Sequence, residues 1–100
     1  MVGFAMSVLN LNYDRKFDIL YARLSGYSPS YGEEDNGVVT FFSIDTDAIT
    51  GMAIYKAKER VLNNDLDPEC LPIPIDLNSA PIKNLLYNPE DGYTATLPLA

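Results

Sequence analysis

Tyr13, Asp14, Asp18, Tyr21 and Arg23 bring two carboxylates, two phenols and a guanidinium into one short stretch. Carboxylates near phenols are material for general acid–base work. The stretch nevertheless lacks a nucleophile and a base that titrates near neutrality. The whole chain lacks histidine, which removes the commonest general base and metal ligand and every Ser-His or Cys-His nucleophile pair. It also lacks a glycine-rich phosphate loop and a cysteine pair. The five residues are therefore expected to be structural or interaction residues. Asp14 should cap a turn through its own backbone, and Asp18 should do the same or pair with a basic group. Tyr13 and Tyr21 suit cross-strand aromatic contacts. No catalytic residue, cofactor or metal ligand is assigned.

The elements that position this set read as a β-hairpin. Leu9, Leu11 and Tyr13 alternate with Val8, Asn10 and Asn12, the period of a half-buried strand. Asp14-Arg15-Lys16 makes the turn. Residues 17–24 then return, with Leu20, Ala22 and Leu24 on one face and Phe17, Ile19, Tyr21 and Arg23 on the other. Apolar groups on both faces predict a central strand with cover on each side.

Gly26 to Gly37, with Pro29 and Glu33-Glu34-Asp35, reads as a polar loop ending in the turn dipeptide Asn36-Gly37. Residues 38–44 and 49–54 predict a third and a fourth strand around an Asp45-Thr46-Asp47 turn, with Gly51 marking a bulge or a close approach. Consecutive short strands imply a meander. Ile54, Ala57 and Val61 share a helical face, so a short helix is expected over about 56–63. Leu71, Ile73, Ile75 and Leu77 alternate with Pro72, Pro74, Asp76 and Asn78. Alternate prolines confine that segment to a sheet edge or a polyproline-like arm. Asn88-Pro89-Glu90-Asp91-Gly92 predicts the turn of a C-terminal hairpin between 85–87 and 93–97. A helix over 80–87, with Pro81 in its first turn, competes with that hairpin.

Other sites read blandly. Asp45 and Asp47 lack the further oxygen ligands of a calcium loop, and a polar turn explains them. Glu33-Glu34-Asp35 suits a solvated loop. Cys70 lies among carboxylates that raise its pKa, which argues against a reactive thiolate.

At 100 residues and 47% hydrophobic, the chain is one domain able to bury roughly 65% of its unfolded surface. The expected core spans 8–62, with a C-terminal arm and hairpin over 63–100. A single cysteine permits no internal disulfide and fits a reducing, cytoplasmic setting. The apolar opening Met1 to Met6, in which Met6 is a second possible start, is too short for a secretory core or a membrane span. The net charge of −7 is uneven: residues 61–100 carry six acids and one base, Lys83. An acidic surface repels phosphate backbones and anionic lipid, so neither nucleic acid nor membrane is an expected partner.

Tyr13-Asp14-x-x-x-Asp18-x-Leu20-Tyr21-x-Arg23-Leu24 resembles the opening signature of domain-of-unknown-function family 2283, approximately Tyr-Asp, three residues, Asp-Ala-Leu-Tyr-Ile-Arg-Leu. Ile19 and Ala22 depart from it by swapping sizes. Gly37-Val38-Val39, Asp45-Thr46-Asp47, Gly51-Met52-Ala53-Ile54 and residues 56–62 are similar in order, so the resemblance covers about residues 11–62. It implies no established activity; a role as a small partner of toxin-like proteins is the one prior it adds.

The expected fold is α+β: an antiparallel β-meander of four to five strands with one short helix and a C-terminal β-hairpin. The expected function is a non-enzymatic protein-binding or homo-oligomeric assembly module, its partner itself or another protein. The alternatives are an acidic, antitoxin-like protein that neutralises a basic partner through the C-terminal arm, and, more weakly, a small enzyme using carboxylates.

Overall fold

A computed structural model describes residues 8–24, 29–88 and 94–98. The opening segment and most of the turn expected at 88–92 lie outside the described residues.

Six antiparallel strands form one sheet: β1 (Val8–Asp14), β2 (Ile19–Leu24), β3 (Ser30–Asp35), β4 (Val38–Ser43), β5 (Ile49–Tyr55) and β6 (Thr94–Pro98). Their order across the sheet is β3-β4-β5-β2-β1-β6. Two helices, α1 (Ala57–Leu62) and α2 (Ala80–Tyr87), complete an α+β fold with a 3₁₀ turn at Pro68–Cys70.

The β1–β2 hairpin forms as its alternation dictates. Leu9 faces Leu24, Leu11 faces Ala22 and Tyr13 faces Leu20, all on one side. Phe17 lies in the turn, 63% exposed, and the second strand begins only at Ile19.

The meander is corrected in two places. Glu33-Glu34-Asp35 belongs to a strand, β3, and not to a loop. Its charges suit the outer edge of a sheet, where they discourage further pairing. Asn36 (φ 54°) and Gly37 (φ 80°) supply the two left-handed residues of a tight hairpin turn into β4. Second, β2 pairs with β5 and not with the strand at 38–43. Gly51, Met52, Ala53 and Ile54 are all buried, and only a strand flanked on both sides encloses such a run. A Cβ at Gly51 would stand 2.6 Å from the Ala22 carbonyl oxygen, so β5 reaches β2 only because that position carries none. The ladder between β4 and β5 also slips at Phe41/Phe42, giving the irregularity expected near Gly51.

The C-terminal hairpin and the single helix are corrected as well. Residues 80–87 form α2, with Pro81 in its first turn and Ile82, Leu85 and Leu86 turned to the core at helical spacing. β6 pairs with β1, Leu97 beside Leu9 and Ala95 beside Leu11.

Residues 71–77 take no strand partner. They bend at 71–73 and run without regular structure to a turn at Leu77, with Leu71, Ile73, Ile75 and Leu77 buried and Pro74 and Asp76 exposed. The core joins this segment, α2 and Ala57 of α1 to one sheet face through Leu9, Leu11, Leu20, Met52 and Ile54. Among the described residues the packed elements sit on one side of β2, while Tyr21, half-buried, and Arg23, exposed, lie on the other. No described helix is long and apolar enough to cross a membrane.

Candidate functional site

The turn after β1 ties the helices to the sheet. Asp14 Oδ1 accepts the amides of Lys16 (2.9 Å) and Phe17 (3.1 Å), capping its own turn. Arg15 Nη2 reaches the far end of α2, donating to the carbonyls of Leu85 (3.2 Å) and Asn88 (3.0 Å). A cation there satisfies terminal carbonyls and complements the helix dipole. Asp18 holds the start of α1: its carbonyl accepts the Ala57 amide (3.0 Å), Oδ1 the Lys58 amide (2.7 Å) and Oδ2 the Glu59 amide (3.3 Å). Lys56, at the helix's own N-cap position, has no side-chain acceptor to offer, so Asp18, 40 residues before Lys58, takes that role.

Tyr13 completes the cluster. Its hydroxyl donates to Asp18 Oδ1 at 2.7 Å, and its side chain is 3% exposed. Burial, then the hydrogen bond to the Asp18 carboxylate and its negative charge, hold the phenol well above its ordinary range. An unfolded chain ionises this phenol near pH 10, so above that pH the unfolded state binds fewer protons and folding stability falls. Urea unfolding of the wild-type protein between about pH 9 and about pH 11 should show that decline, and Tyr13→Phe should fall less steeply. Parallel slopes would remove Tyr13 as the source.

Of the five sequence-selected residues, Tyr13 and Asp18 thus lie together on the covered side. Asp14, Tyr21 and Arg23 lie on the other face. Two cross-strand rows traverse that face: Gly32–Phe41–Gly51–Arg23–Asn10–Thr96, and Glu34–Val39–Ala53–Tyr21–Asn12–Thr94. Tyr55, Ile19 and Asp14 begin a third. Small residues on β5 let larger neighbours lean inward; Arg23 Cγ would lie 3.5 Å from a Cβ at Gly51. Phe41 covers Gly32 in the same way, its Cε1 3.1 Å from where a Cβ would stand.

Two shallow hollows result. One of about 510 Å³ is bounded by Asn12, Asp14, Tyr21, Arg23 and Phe41. The other, about 520 Å³, is bounded by Asn10, Asn12, Tyr21, Arg23, Thr94 and Thr96. They share Asn12, Tyr21 and Arg23. Asp18 contributes to neither, so the carboxylate that shares a hollow with the Tyr21 phenol is Asp14.

A larger cavity of about 780 Å³ lies between the β3–β4 turn and the segment after α1, with Asp35, Thr40, Asp67 and Cys70 in its wall. Arg60 spans it, Nη1 donating to the Asn36 carbonyl (2.8 Å) and Nη2 to the Asp65 carbonyl (3.3 Å). The Cys70 thiol donates to Asp67 Oδ2 at 3.5 Å, and that carboxylate pushes the thiol pKa up. Asp47 accepts the Tyr31 hydroxyl at 3.0 Å. Among the described residues no three of His, Cys, Asp or Glu converge as a metal site. Sequence reasoning missed the Arg60 bridge and the rows across the face opposite the helices. Gly51 and Ala53 at alternate positions, beside a strand apolar on both faces, were the signal for the rows.

The chain matches no protein-family model, no curated protein and no solved structure. The resemblance to family 2283 therefore rests on the residues quoted for it.

Proposed function

We propose that this protein is a non-enzymatic binding or assembly module that engages a protein partner, another copy or a different chain, through the bare face of its sheet. The supporting observation is the one-sided cover: both helices and the 71–77 segment pack on one face. Tyr21, Phe41, Val39 and Ile19 lie half-buried on the other, with Asn10, Asn12 and Arg23 beside them. Aromatic and arginine side chains amid neutral polar groups suit a protein interface. The single cysteine, Cys70, fits action in the cytoplasm.

A photo-crosslinker at position 12 on the bare face, compared with one at position 83 on α2, tests the reading in cells producing the protein. Position 12 should give one discrete protein adduct and position 83 none. Equal labelling, or no adduct at position 12, overturns it.

The alternative, neutralisation of a basic partner, draws on the exposed Asp65, Asp67, Glu69 and Asp76. Replacing these four by Asn and Gln should abolish capture of a basic target in that case and leave position-12 crosslinking intact.

A further inference from the structure

We infer that the occupant of the bare face is a second copy of this chain, stacked sheet on sheet about a two-fold axis that lies in the interface and runs across the strands. This deepens the binding-module reading and rests on it.

Charge argues for a second copy. Each chain carries −7, so two copies repel unless they meet where charge is sparse and self-complementary. The central strands of the bare face carry two charges, Arg23 and Asp14. They stand at opposite ends of the β1–β2 ladder, Arg23 beside Asn10 and Asp14 beside Ile19. Rotation about the stated axis exchanges these ends. Arg23 of one copy then lies over Ile19 of the other, offset sideways by one strand spacing (about 4.8 Å) from the partner's Asp14 across the roughly 10 Å between packed sheets, a gap that the two side chains span. An isologous contact makes this pair twice. The middle row falls on itself, Tyr21 against Tyr21 and Asn12 against Asn12, which places the aromatic at the dry centre and the neutral polar groups around it.

Size sets the strength of the contact. Five strand spacings span about 24 Å and a six-residue strand about 20 Å. The projected face is therefore about 500 Å² per copy, so burying its central part on both copies gives a contact below the roughly 1,000 Å² of a stable interface and a dimer that dissociates on dilution. The aligned packing of two twisted sheets concentrates contact on the central strands. The acidic edge strand β3, with Glu34 tied to the Gly37 amide at 2.8 Å, is left at the rim.

Light scattering across a concentration series reads the result. Wild-type protein should reach twice the monomer mass of 11.1 kDa at micromolar concentration. Arg23→Glu sets a carboxylate beside Asp14 at two symmetric places and should weaken the dimer about 100-fold. Lys83→Glu, the same charge change on α2, should leave it unchanged. Asp14→Asn keeps an acceptor for the turn amides and, added to Arg23→Glu, should recover part of the loss. Circular dichroism confirms that each variant is folded; if Arg23→Glu is not, Tyr21→Lys takes its place. Dimers equally stable in Arg23→Glu and Lys83→Glu would overturn the stacked arrangement while leaving assembly itself standing. A wild-type monomer at every concentration would overturn the inference, and crosslinking at position 12 to a different protein would then show that the binding-module reading survives it.

Discussion

A chain ending at Asn64 is expected not to fold. The cut removes Leu71, Ile73, Ile75, Leu77, Ile82, Leu85 and Leu86 from the core cluster. Each large buried side chain contributes about 1.5–3 kcal/mol, so the seven together contribute about 10–20 kcal/mol. That equals or exceeds the whole stability of an ordinary domain, about 5–15 kcal/mol. The cut also strips β6 from β1 and deprives Arg15 of the carbonyls it holds at the end of α2. Urea titration followed by circular dichroism should show no cooperative transition in the truncated chain. A two-state transition there would mean that the segment after Asn64 is an appendage and not part of the core. Ile82→Ala in the full chain is the graded version, with an expected cost of about 2–5 kcal/mol.

Asp18→Ala should cost about 3 kcal/mol. Two effects add. Losing the acceptor for the Lys58 and Glu59 amides removes a helix cap, about 1–2 kcal/mol. The buried Tyr13 hydroxyl also loses its partner, about 1–3 kcal/mol. Asp18 has a left-handed backbone (φ 56°), which alanine tolerates less well than Asp or Asn. For a domain of this size the melting temperature should fall by about 4–8 °C per kcal/mol. Asp18→Asn should cost less, because asparagine keeps one acceptor and accepts the same backbone. A change below about 0.5 kcal/mol in Asp18→Ala, the range of an ordinary surface substitution, would show that α1 does not depend on this cap.

The sequence made some of this legible through local pattern. Leu9, Leu11 and Tyr13 point one way because a strand alternates, and they do so regardless of context. Asn36-Gly37 turns the chain because both positions need left-handed backbone. Leu71, Ile73, Ile75 and Leu77 are buried in alternation as their spacing predicts, yet the segment joins no sheet edge, and the spacing does not reveal what its apolar side meets. Residues 85–87 show why the C-terminal hairpin failed: a short apolar run fits strand or helix, and Ile82 with Pro81 decides for the helix. Glu33-Glu34-Asp35 misled because acidic composition signals exposure, and an edge strand is as exposed as a loop. Asp18 could not be placed from its neighbours, since two of its three side-chain partners are amides of residues 58 and 59. The one-sided packing of the described elements was similarly hidden. Apolar groups on both sides of β2 report a strand that could be covered twice, without saying whether the chain supplies the second cover.

The pairing of β1 with β6 also sets an order of assembly. Leu11 lies beside Ala95, so the outer margin of β1 stays unbonded until synthesis has passed β6, more than 80 residues later. Closing so long a loop carries more entropy than closing the short turn to β2, and contacts of such sequence separation slow folding. The β1–β2 ribbon should therefore wait on the ribosome with one hungry edge, and the nascent protein is at its most adhesive until β6 emerges to seal it.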